Sequence, residues 1–160
     1  MGQSRPTSVS ATVWHDHAWN FLCACVASTP ADVADRIREA NNLFRLAPEA
    51  LGVSLPHLVE EKAIEALLSS KGSESAALSL LGRETAFMVS RGMSASNLAT
   101  VVLPGRREEY TAKGATLELA LLAAKTAALL AEAEQVLSLQ HDDGLPARDW
   151  SGREVEKRQG

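Results

Sequence analysis

Four side chains near the start of the chain are of the types that bind a transition metal: His15, His17, Cys23 and Cys25. Zinc takes such ligands in a tetrahedron, at about 2.0–2.3 Å. The spacing works against it. Residues two apart on a helix point about 200° away from each other. On one continuous helix His15 and His17 diverge, as do Cys23 and Cys25, so the four close on a metal only if the chain before Trp19 is extended. The reading is therefore no metal site. His15 becomes a boundary histidine beside Trp19 and Leu22, His17 is exposed, and the cysteines act as small hydrophobes. The same divergence keeps Cys23 and Cys25 from pairing. Reduced thiols and a cytoplasmic setting follow.

The rest of the chain offers little for catalysis. It has no phosphate-cradling glycine loop, no HExxH and no GxSxG. Glu60, Glu61 and Glu65 read as the wet face of a helix, and His57 is the only mid-chain histidine. No catalytic residue and no cofactor are expected. Arg106-Arg107-Glu108-Glu109 reads as a solvated, self-paired charge run.

A nucleic-acid reading has one candidate stretch. Phe87 to Val102 is expected to form helix, turn and helix, with Gly92 at the turn and Met93, Leu98 and Val101 inward. Arg91, Asn97, Arg106 and Arg107 would then meet the nucleic acid, with Arg83 and Lys113 adding positive charge. A second stretch, Leu46 to Leu58, contains LGVS but places Pro48 inside its first helix. The formal net charge of −4 disfavours a dedicated binder.

The elements that position these residues read as helices throughout. Hydrophobic residues make up 46% of the 160-residue chain but aromatics only 4%, so the core is Leu, Ala and Val. The expectation is one all-α domain, a bundle of five to six helices. Met1 to about Ala11 is a flexible arm, 12–141 the bundle, and 142–160 a charged tail. A first helix runs to about Ala27. Thr29-Pro30-Ala31-Asp32 starts a second, with Thr29 as N-cap, Pro30 at N1 and Asp32 in the first turn. Its stripe is Val33, Ile37, Ala40 and Phe44. Ser54 caps a third helix running to about Lys71, and Ser73 or Ser75 opens a fourth ending at Gly92. A short fifth ends at Pro104-Gly105. Residues 105–114 are either early turns of the last helix or a separate turn.

The last helix, 116–140, is Ala/Leu-rich and apolar nearly all round, so it belongs at the centre. Glu118, Lys125 and Glu132 interrupt it as a membrane span. The apolar surface exceeds what a lone bundle of this size needs. Leu80, Phe87, Leu122, Leu129 and Leu130 are the excess. The functional expectation is a non-enzymatic protein-interaction module whose partner is another protein or a second copy. The alternative is a helix-turn-helix regulator, and a small metal protein or enzyme comes third. No signal peptide or acyl-anchor motif is visible, although the Ser/Thr-rich start also fits an export signal.

Overall fold

The run of alanine and leucine after Gly114 forms the longest element, α5, Leu117–Asp142. Every residue from Glu118 to Thr126 on it is buried. A helix buried on all sides needs partners on all sides, and α5 has them. The helices α1 (Ala11–Ala27), α2 (Val33–Arg45) and α4 (Ser73–Leu81) pack on it from one side. A three-stranded antiparallel sheet covers another. The remaining helix, α3 (Glu61–Ser69), packs on α2 and α4. The computed structural model describes residues 10–52, 55 and 58–142. Residues 1–9 of the expected N-terminal arm, residues 143–160 of the expected tail, the Ser54 cap, Pro56 and His57 lie outside the described residues.

The helix ends follow local chemistry. The Ser10 hydroxyl accepts from the Val13 amide at the start of α1. Before α2, Thr29 and Asp32 form a reciprocal capping box, and the Asp32 carboxylate accepts from the Thr29 amide at 2.8 Å. Those bonds hold the Asp32 carboxyl below its ordinary range. Val33, Ile37, Ala40 and Phe44 are buried on the inner face of α2.

The all-α expectation fails on residues 86–114. They form β1 (Ala86–Arg91), β2 (Asn97–Val102) and β3 (Tyr110–Gly114), so the fold is mixed: among the described residues, five α-helices with one sheet in the order β1-β2-β3. The fourth helix stops at Leu81 rather than Gly92. Gly82 there takes φ +88, outside anything a helix allows. The expected fifth helix is β2, and the polar stretch before the long helix contains β3. The physical reason is that short apolar runs fit both a 3.6 and a 2.0 period. Here the β-branched residues decide: in Leu98-Ala-Thr-Val-Val102, Ala99 and Val101 are buried while their neighbours are not. The first turn of α5 lies against the end of β3. A Cβ on Gly114 would collide with the Ala120 amide nitrogen and the Leu119 carbonyl carbon, so only glycine fits there.

Candidate functional site

The hairpin β1–β2 is closed by residues 92–96. The Gly92 amide donates to the Ser96 carbonyl at 3.0 Å, and Ala95 sits in the left-handed region at φ +59. That bond also fixes the parity of the ladder. Gly92 and Ser96 are a hydrogen-bonded pair, so with the continuous register Ala86↔Val102 to Arg91↔Asn97, the pairs at Ser90, Met88 and Ala86 are hydrogen-bonded too. Phe87, Val89 and Arg91 belong to the other set. Their backbone N–H and C=O groups point away from β2.

Among the described residues no strand lies on that side, and β1 is an edge. All six of its residues are exposed. Side chains directly opposite across a ladder share a face. Phe87 stands opposite Val101, which stands opposite Tyr110, and Val89 stands opposite Ala99 and then Ala112. Val101 and Ala99 are buried under α5, yet Phe87 is 48% exposed and Val89 39%. The apolar face of the sheet therefore runs out past the helix that covers it. On the other face Met88 is 69% exposed, and Met93 projects from the loop. Free backbone groups beside an apolar face are what an added strand needs.

Of the residues singled out from the sequence for partner contact, Phe87 lies on this edge. Leu80, Leu122, Leu129 and Leu130 are buried in the chain's own core. The stretch 87–102 forms no helix-turn-helix, since both of its supposed helices are strands. Arg91 ends β1. The side-chain amide of Asn97 donates to the Ala115 carbonyl at 3.2 Å. Arg106 is engaged by Glu132 at 2.8 Å, and Arg107 is exposed in the loop before β3. The four do not share one helix face.

His15 bridges α1 to α5, with Nε2 3.1 Å from Glu134 and Nδ1 3.9 Å from Asp16. With a carboxylate near each nitrogen, neither is aimed at a nucleophile. Cys23 is exposed and Cys25 buried, and burial pushes the Cys25 thiol up to about 12. Among the described residues no three His, Cys, Asp or Glu side chains converge as a metal site requires. A groove of about 450 Å³ opens between α1 and α2, lined by Trp14, His17, Phe21, Asn42, Leu43 and Leu46 among others. It is apolar in the main and holds no nucleophile–base pair. Trp19 and Val26 form a second exposed apolar strip on α1.

Sequence reasoning missed Lys125. It is fully buried, and its Nζ donates to the Leu81 carbonyl and to Thr85 Oγ1, each at 2.9 Å. Burial lowers its pKa to about 8, with Glu132 pulling the other way. The ammonium ties the last carbonyl of α4, that of Leu81, and Thr85 in the turn leading into β1 to the central helix. A lysine inside an Ala/Leu run was the available signal.

Among the described residues no helix is long and apolar enough to cross a membrane. Comparison of the chain with protein-family models, with curated proteins and with solved structures finds no match.

Proposed function

We propose that the chain is a non-enzymatic protein–protein interaction module, an adaptor, assembly factor or subunit of a larger complex. The partner joins at β1 by strand addition. The observation that carries this reading is the edge itself: six exposed residues, with Phe87 and Val89 continuing a buried apolar row into solvent. Natural sheets usually blunt such an edge with charge, proline or a bulge. Here the register is continuous and Arg91 is the only charged residue in β1. The exposed free thiol of Cys23 fits a reducing, cytoplasmic setting.

The test is native mass spectrometry on the protein isolated gently from its own host, beside a Val89→Pro variant. The Val89 amide faces away from β2, so proline there spares the hairpin ladder and blocks only an added strand. Added protein subunits on the wild type, lost from the variant, support the reading. Bound nucleic acid, or a clean monomer from gentle lysis, would count against it.

A further inference from the structure

We infer that the occupant of the β1 edge is a second copy of this chain, paired antiparallel about a two-fold axis at Val89. The inference rests on the strand-addition reading and gives it a partner.

The argument is one of self-complementarity. A two-fold interface presents the same patch twice, so residue i must suit residue j and the reverse. Three residues of β1 turn their backbone groups outward: Phe87, Val89 and Arg91. Only one antiparallel register uses all three on both copies. It sets Phe87 against the second copy's Arg91, Val89 against Val89, and Arg91 against Phe87. Each of these is a hydrogen-bonded pair, so the join is closed by six backbone hydrogen bonds.

The side chains agree with that register. On the face that continues the core, two valines meet at the axis. Each is flanked by a phenylalanine ring beside an arginine, a cation–π arrangement. Like charges directly opposite each other destabilise a strand pair. In this register Arg91 meets Phe87 and not its own image, and Arg83 and Glu84, just before the strand, meet neutral loop residues. On the other face Met88 lies beside Ser90. A two-fold axis placed at Arg91 instead of Val89 would put the two guanidinium groups against each other.

The area is consistent with a modest dimer. One six-residue strand edge with the exposed side chains of Phe87, Met88 and Val89 is a smaller surface than the roughly 800 Å² per partner of a standard interface. The expected dimer therefore forms at micromolar concentration and exchanges readily. The two sheets merge into one of six strands, β3-β2-β1-β1-β2-β3, which pairs the β1 edge of both copies.

The experiment is sedimentation velocity across a concentration series, with cysteine cross-linking to read the register. In a Cys23→Ser background, Cys is placed singly at 87, 88, 89, 90 and 91. Opposed Cα atoms in a hydrogen-bonded pair lie about 5.5 Å apart, within disulfide reach, whereas Met88 and its image sit diagonally at about 7–8 Å or more. The expected result is a reversible dimer, cross-linked efficiently by Val89→Cys and poorly by the other four. Val89→Pro and Val89→Lys should each weaken the dimer at least tenfold, while circular dichroism stays that of the wild type. A monomer up to about 0.5 mM, a concentration that would populate even a weak dimer, would overturn the proposal. So would cross-linking that favours another position. If self-association fails while a different protein still leaves with Val89→Pro in the host isolation, the second copy is wrong and strand addition stands. If Val89→Pro changes neither, both readings fail.

Discussion

Phe87 on β1 stands directly opposite Val101 on β2, yet Val101 is fully buried and Phe87 is about half exposed. One face of one sheet is thus core at one strand and surface at the next, because α5 covers β2 and β3 and stops short of β1. The energetic consequence is testable in the monomer. Val101→Ala should cost about 1–3 kcal/mol, since it opens a cavity under α5. Phe87→Ser opens no such cavity and should cost less, about 1 kcal/mol in dilute protein, because about half of the residue already lies in water. Urea unfolding of the two variants at low micromolar concentration checks the contrast. A large loss from Phe87→Ser would mean that the ring belongs to the core.

Lys125 and Cys25 set an unusual alkaline profile. With its folded pKa at about 8 and its ordinary value at 10.5, Lys125 sheds its proton first in the folded state as pH rises. Above about pH 8 the unfolded chain holds more protons, so stability increases with pH, by about 1.4 kcal/mol per unit at most. Cys25 has the opposite sign. Its folded thiol keeps its proton to about 12, while the unfolded thiol loses it near 9.0. Stability should therefore rise between about pH 8 and about pH 9, then level off as the two cancel. Lys125→Met should remove the rise, and Cys25→Ala should carry it on toward pH 10. Denaturation midpoints measured at each pH are the readout.

The parts of the fold legible in the sequence are those where local signals are redundant. Thr29-Pro30-Asp32 and the Val33, Ile37, Ala40, Phe44 stripe mark α2 twice over, and the Ala/Leu run marks α5 by composition alone. The sheet was not legible because Leu78, Leu81, Thr85 and Met88 happen to fall at helical spacing. In the structure they span a helix end, a buried turn and an edge strand. Thr85 is buried for a reason no periodicity carries, since it accepts from Lys125 forty residues away. The β-branched residues of Thr100-Val101-Val102 and the Gly/Ser loop before them were the overlooked strand signals. The candidate surface was half legible for the same cause. Apolar excess marks Leu122 and Phe87 alike, and only the placement of α5 decides that the first is core and the second is edge.

Gly114 tests the join between sheet and helix. Its missing Cβ leaves room for the backbone of Leu119 and Ala120 in the first turn of α5. Backbone cannot yield as a side-chain tip does, so Gly114→Ala must push β3 and α5 apart. A loss of about 1–3 kcal/mol is expected from the overpacking. Thermal melting should show the midpoint falling by several degrees. An unchanged midpoint would mean that the β3–α5 join is looser than described.

The indole of Trp14 closes a different gap. Helix α2 ends at Arg45, and its last carbonyls need partners that the helix cannot supply. Asn42 and Phe44 find them in the amides of Leu46 and Ala47. The Leu43 carbonyl instead accepts from Trp14 Nε1 at 2.9 Å, in a buried position. One side chain of α1 thus both packs against α2 and finishes it. Trp14→Phe keeps most of the ring but leaves the Leu43 carbonyl without that donor, at a cost of about 1–3 kcal/mol. Trp19→Phe, on the exposed strip of the same helix, should cost less than about 0.5 kcal/mol. Chemical denaturation of both variants separates the two tryptophans. Equal losses would mean that the bond to Leu43 contributes nothing beyond ring burial.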